Sequence, residues 1–161
     1  MIAIREAEAR DHDVLWAILQ PIIRAGEEYA LPVDMDREAT LAYWFAPGNR
    51  VFVAEEDGEV LGSYYLRVNQ QGGGSHVCNC GYATADWARG RGLAAAMCAH
   101  SLEFGKAAGF RAMQFNFVVS SNAPAVHLWT KFGFTVVGRL PETFLHPALG
   151  YVDALVMWRE L

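Results

Sequence analysis

ARGRGLAAAMCAHS, residues 88–101, sets two arginines and two glycines at the mouth of what reads as a helix. Gly90, Gly92 and Ala95 satisfy the G-x-G-x-x-G/A spacing of a dinucleotide-binding turn. That reading needs a carboxylate ~20 residues on, at the end of the next strand, to hold a ribose. The corresponding stretch, MQFNFVVSS (113–121), has none, and residues 85–88 separate the glycines from the strand before them. A Walker loop is excluded because no Lys-Ser/Thr pair follows the glycines. What remains is backbone chemistry: a helix start presents unpaired N–H groups and the positive end of the helix dipole. No Ser, Thr, Asp or Asn stands at 88–92 to cap them. Glycines admit a ligand to the main chain and Arg89 and Arg91 add full charges, a combination suited to a pyrophosphate. A solvated turn with two incidental arginines is the alternative.

Outward from this turn, the chain reads as alternating strands and helices. IAIREA is a short first strand, and Val14, Leu15, Ile18, Leu19, Ile22 and Ile23 form a helical stripe from Asp11 to about Gly26, bent or interrupted at Pro21. Asp36 caps a second helix reaching Trp44. Two β-rich runs flank Asp57-Gly58, a hairpin signal, and NQQGGGS leads into a third run, HVCNCGYATA. A helix from about Gly90 to Ala108 stops at Gly109, FRAMQFNFVV reads as a strand buried on both faces, and an N-capped helix ends at Gly133. FTVVGRL and YVDALVMWREL supply two more strands. The pattern predicts an α/β (α+β) architecture with an antiparallel front half and a partly parallel β-α-β-α-β segment.

A chain of 161 residues without internal repeat or composition shift predicts a single domain over 1–161. With 53% hydrophobic and 19% charged residues the composition is that of a folded globule. A net charge of −5 argues against a nucleic-acid partner, which would require a basic stripe. No signal peptide and no run of ~18 apolar residues is visible, so neither secretion nor a membrane partner is expected and the location expected is cytoplasmic. Cys78, Cys80 and Cys98 form no disulfide framework, and a zinc site lacks further ligands, so no metal is expected.

The run R-G-R-G-L-A resembles the Q/R-x-x-G-x-G/A signature of the GNAT superfamily of N-acetyltransferases, with Arg89, Gly92 and Ala94 at the defining positions. The context agrees: a strand before, a helix after, a buried strand, N-x-x-A at Asn122–Ala125, and K-F-G-F at 131–134. The resemblance spans essentially the whole chain. It implies a mixed, mostly antiparallel sheet of about seven strands with a splayed parallel pair and helices on both faces. It implies acetyl-CoA as donor, held by Arg89, Gly90, Arg91, Gly92, Leu93 and Ala94, by Asn122, and by the main chain of Tyr82, Ala83 and Thr84 pairing with the pantetheine arm like an added strand. The sequence departs from the family where Thr84 and Asp86 replace a common Val and Pro. Trp129 also stands where a tyrosine usually protonates the leaving thiolate. The superfamily admits a homodimer.

Asn79 and Asn116 interrupt apolar strands, and an unpaired buried amide costs on the order of 1–3 kcal/mol, so each needs a partner. Internal hydrogen bonding and service in a cleft are both open; for Asn122, so is an N-cap. Asn79, Asn116 and Asn122 together with GYVDA (150–154) are similar to acetyltransferases acting on azetidine-2-carboxylate and related proline analogues. That resemblance implies that Asn79 holds a substrate carboxylate, while Asn116 and Asn122 position the amine or polarise the thioester. Glu27, Glu28 and Tyr29 follow the first helix near the usual acceptor site, where Glu28 and Tyr29 are substrate-binding candidates; an exposed charged helix end is the competing account. His100 is expected to be a satisfied core histidine, and His76 a solvated one.

The expected reaction is direct attack of a small-molecule amine, such as an amino or imino acid, on the thioester. The oxyanion would be met by a backbone N–H of 82–84 and an asparagine amide. A cysteine acyl-enzyme would need a base beside the thiol, and none is evident. The alternatives are a protein or peptide N-acetyltransferase and a CoA-binding regulatory domain with little activity.

Overall fold

A computed structural model describes residues 1–161. Seven strands form one sheet in the order β1-β2-β3-β4-β5-β7-β6: β1 (Ala3–Glu6), β2 (Arg50–Glu56), β3 (Glu59–Val68), β4 (Val77–Thr84), β5 (Ala112–Val119), β6 (Thr135–His146) and β7 (Gly150–Glu160). All neighbours are antiparallel except β4 and β5. Four helices cover it: α1 (His12–Ala25), α2 (Arg37–Trp44), α3 (Leu93–Ala107) and α4 (Ala123–Lys131). The α/β architecture, strand number and single parallel pair agree with the sequence reading.

Strand alternation assigns the faces. Phe52, Tyr64 and Tyr82 point to one side, where Phe52 and Tyr64 meet His100 and Phe104 of α3 and Tyr82 meets Trp129 of α4. Ser63 and Tyr65 point to the other, where the Trp44 indole of α2 donates to Ser63 Oγ at 2.9 Å and stands edge-on to Tyr65. Helix α1 lies beside α2, His12 packing on Phe45.

Three local expectations are corrected. Pro21 does not interrupt α1, which runs unbroken to Ala25. A proline inside a helix costs ~3 kcal/mol. The buried Ile18, Leu19, Ile22 and Ile23 on either side each return ~1.5–3 kcal/mol, so packing outweighs the lost bond. Helix α3 begins at Leu93, three residues after the expected Gly90, because Gly90 and Gly92 adopt left-handed φ of 79° and 81°. Strand β6 extends past Leu140 to His146; Pro141 is tolerated because β6 is an edge and its register shifts between Leu140 and Phe144.

The feature that positions the site lies at the sheet's centre. Parallel pairing of β4 with β5 is confined to Val77↔Ala112 and Cys78↔Met113, and beyond it the strands part.

Candidate active site

The phase of the β3–β4 ladder decides what faces the gap. Asn69 N donates to Val77 O at 2.9 Å and Ala85 N to Leu61 O at 2.8 Å. Odd-numbered residues of β4 therefore bond to β3, and Tyr82 and Thr84 turn their backbone groups toward the space β5 has vacated. Two side chains bridge parts of that space. Asn79 Nδ2 donates to Gln114 O at 2.8 Å, just beyond the last parallel pair, and the Tyr29 hydroxyl donates to Tyr82 O. The gap opens into a cleft of about 750 Å³ that runs from the α1–α2 connection to the start of α3 and along α4.

At the α3 end, a short turn over Asp86–Ala88 delivers the chain to Gly90 and Gly92. Open space surrounds both α-carbons, so the positive φ, not crowding, is what calls for glycine. Gly92 is the N-cap and no side chain caps α3, so its first N–H groups are free to meet an anion. Arg89, Gly90, Gly92, Ala94 and the buried Leu93 line the cleft. Arg89 forms an exposed pair with Asp86 at 2.7 Å. Arg91 is not brought to the cleft; it pairs with Glu56. Ala83 is buried with its backbone turned to β3, whereas Tyr82 and Thr84 line the cleft.

At the other end, of the three residues 27–29 after α1, the candidates Glu28 and Tyr29 line the cleft, and the competing account of an exposed helix end holds for Glu27 alone. Gly26, at φ 65°, reverses the chain and returns Glu28 and Tyr29 into the cleft, while Glu27 stays exposed. Burial pushes the Glu28 carboxyl up, and Arg89 partly opposes it. Burial also raises the Tyr29 hydroxyl well above its ordinary value.

The asparagines are partnered. Asn116 Nδ2 donates to Asn69 Oδ1 at 2.6 Å, and its Oδ1 accepts from Gln114 Nε2 at 2.9 Å. Asn122 Oδ1 accepts from Ala125 N at 3.3 Å as N-cap of α4. All three still line the cleft, so each has an internal structural bond and a surface toward it. Trp129 is buried among Tyr82, Phe115 and Phe134, and its indole has no ionisable proton to give at the position where the resemblance expects a tyrosine.

Buried thiols are poor nucleophiles here. Desolvation raises Cys78 to about 12 and Cys80 well above the ordinary thiol range, and Cys80 Sγ has Met113 Sδ, not a base, at 3.8 Å. His100 is satisfied, as expected, by the Tyr64 hydroxyl at 2.7 Å. Among the cleft residues that escaped the sequence reading are Arg67 and its neighbour Tyr65. The available signal was Arg67 itself, a charge in the otherwise apolar run VLGSYYLRV.

The Acetyltransferase (GNAT) family model matches residues 13–134. In sequence the chain is similar to the L-amino acid N-acetyltransferase AaaT of Escherichia coli, 31% identical over 161 residues that cover 98% of this chain and 97% of the relative. It is also similar to the N-acetyltransferase aca1 of Schizosaccharomyces pombe, 26% identical over 151 residues, 83% of this chain and 72% of the relative. A GCN5-related N-acetyltransferase from Kribbella flavida superposes with a TM-score of 0.94 at 40% identity, covering 99% and 98% of the two chains. A phosphinothricin acetyltransferase from Sinorhizobium meliloti, solved in complex with AcCoA, shares the fold with a TM-score of 0.87 at 19% identity over 99% and 88%.

Proposed function

Because the chain belongs to the acetyltransferase (GNAT) family, we propose that it transfers the acetyl group of acetyl-CoA directly to the amine of a small amino or imino acid. The observation that carries the reading is the parting of β4 from β5 beside an uncapped helix start, with a raised carboxyl across the same cleft. The residues present suit the donor. The N–H groups opening α3, with Gly90 and Gly92 beneath and Arg89 beside them, receive the pyrophosphate. The outward backbone groups of Thr84 pair with the pantetheine arm as a strand partner would, leaving the Tyr82 N–H for the reacting end of the donor. When bound, acetyl-CoA supplies a thioester carbonyl as electrophile and a thiolate as leaving group to a neutral amine.

The chain's own groups then divide the work. The Tyr82 N–H meets the negative charge developing on the carbonyl oxygen. Glu28, the half-buried carboxyl of the acceptor end, takes the proton released by the attacking nitrogen, directly or through water. Asn116 and Asn122 hold the acceptor against the gap. The E. coli relative's name as an L-amino acid N-acetyltransferase supports a small amino acid as acceptor. The finer assignment, to acetyltransferases of azetidine-2-carboxylate and related proline analogues, draws on Asn79, Asn116 and Asn122 sharing one cleft.

A second reading, a CoA-binding regulatory domain with little activity, is favoured by Trp129 alone. Incubating the protein with acetyl-CoA and a panel of amino acids, imino acids and peptides while following free thiol separates the two. Acceptor-dependent thiol release supports the enzyme, and acetyl-CoA binding without release above hydrolysis for every amine refutes it.

A further inference from the structure

Arg67 is a half-buried arginine on the cleft face of β3, and no carboxylate stands within ion-pairing distance of it. The other cleft arginine, Arg89, is paired with Asp86. Arg67 is held in place by packing: its guanidinium lies 5.2 Å from the centroid of the Tyr65 ring, and the Tyr65 hydroxyl is in turn 3.2 Å from that of Tyr43. It stands directly opposite Asn79 in the β3–β4 register, on the same face, which puts the two Cβ atoms ~4.5–5.5 Å apart. Asn79 spends one N–H on Gln114 O and keeps the other.

A protein with a net charge of −5 has carboxylates to spare, yet none is placed against this cation. A partly desolvated charge without a counter-ion is unfavourable unless a ligand supplies one. A planar guanidinium with a neighbouring amide N–H matches a carboxylate. The same cleft holds Glu28, which matches an amine.

We infer that Arg67, assisted by Asn79, is the α-carboxylate anchor of the acceptor, so that the substrate class is free α-amino or imino acids and not peptide or protein N-termini. The inference rests on the acetyl-transfer reading above. A peptide N-terminus has an amide where a free amino acid has its carboxylate, and so forfeits the charge-assisted contact. This reassigns to Arg67 the charge recognition that the sequence resemblance gave to Asn79 alone.

The test compares Arg67→Gln and Arg67→Lys with the parent protein on the L-amino acid most rapidly acetylated in a panel and on its carboxamide. Thiol release gives kcat/KM, and calorimetric titration of the acceptor in the presence of CoA gives Kd. The expected result for Arg67→Gln is a loss of roughly 10- to 100-fold in kcat/KM for the acid, mainly in KM and matched in Kd, with the carboxamide unchanged. Arg67→Lys retains part of the activity, and the parent prefers the acid to the carboxamide by the same factor. Equal losses on both acceptors, or no loss on the acid, overturn the inference and leave acetyl transfer standing. A parent protein that releases thiol with peptides but with no free amino acid overturns the small-acceptor reading as well. Should Arg67→Gln fail to melt cooperatively, the parent's acid-to-carboxamide ratio decides, and a ratio near one refutes the anchor.

Discussion

Truncating Asn79 to alanine tests whether an asparagine in the cleft belongs to the fold as well as to the substrate. Asn79 is 6% exposed, and its amide nitrogen lies 2.8 Å from Gln114 O, just past the last parallel pair, Cys78↔Met113. Its side chain thus makes the next rung between β4 and β5 after the backbones have ceased to reach each other. Asn79→Ala leaves a part-buried carbonyl unpaired at a cost of ~1–2 kcal/mol. With an unfolding entropy of ~2.1 cal/mol/K per residue, a chain of 161 residues converts that cost into a fall in Tm of ~3–6 °C. Scanning calorimetry without ligand reads it directly. Asn116→Ala is the contrast: it releases only half-buried side-chain partners, Asn69 and Gln114, that water can satisfy, and it should move Tm by less. If Asn79 serves the substrate alone, its removal leaves Tm unchanged or raises it. That result would refute the rung.

Glu28→Gln should lower kcat ~100-fold or more with little change in the KM for acetyl-CoA, as expected for loss of a general base. Because folding raises the Glu28 carboxyl, its contribution to stability is present at acid pH and lost as pH climbs through the raised value; Glu28→Gln should therefore melt higher than the parent at pH 7, and the gap should close near pH 4. Cys78→Ser and Cys80→Ser should leave kcat within a few-fold; a loss above 100-fold in either variant with its melting transition intact would revive a cysteine acyl-enzyme. Gly92→Ala forces a side chain onto φ 81° and should cost ~1–2 kcal/mol in a thermal melt while raising the KM for acetyl-CoA, since the turn that aims the α3 N–H groups is strained.

Much of the fold was legible because the periodic signals were strong and local. Asp57-Gly58 marked the β2–β3 hairpin, Asp36 and Asn122 marked helix starts, and Gly109 and Gly133 marked helix ends. The turn at Gly90–Gly92 was legible for the same reason, since its requirement is a backbone conformation that only glycine adopts easily. What local reading missed depends on distant partners. The continuity of α1 through Pro21 depends on burial against the sheet, and the length of β6 on pairing with β7. Glu28 and Tyr29 were candidates from their place after the first helix, but the reversal at Gly26 that returns them to the cleft, with its left-handed φ, was not read from the sequence. Arg67 was passed over for a subtler reason: a single charge in an apolar strand is a weak signal, and it becomes decisive only when no carboxylate is found beside it.

The gap between β4 and β5 is a constructed opening and not a failure of pairing. Asn79 bridges to β5 at its narrow end, and the Tyr29 hydroxyl takes the carbonyl of Tyr82 further along. With that carbonyl occupied, the outward donor left on the same residue is its N–H, the group to which the proposed reaction assigns the oxyanion. The arrangement also bears on Trp129. Tyr29 cannot readily take over as acid, because burial raises its hydroxyl and its proton is already committed to Tyr82 O. Tyr82 itself points its hydroxyl to the opposite face, onto Ser101 Oγ at 2.7 Å. A thiol of ordinary pKa ~8.5 leaves tolerably as the thiolate at neutral pH, so protonation by solvent after departure suffices. The proposed chemistry then depends on a base and an oxyanion donor more than on an acid, the roles proposed for Glu28 and Tyr82, and is compatible with a bulky Trp129 that has no ionisable proton.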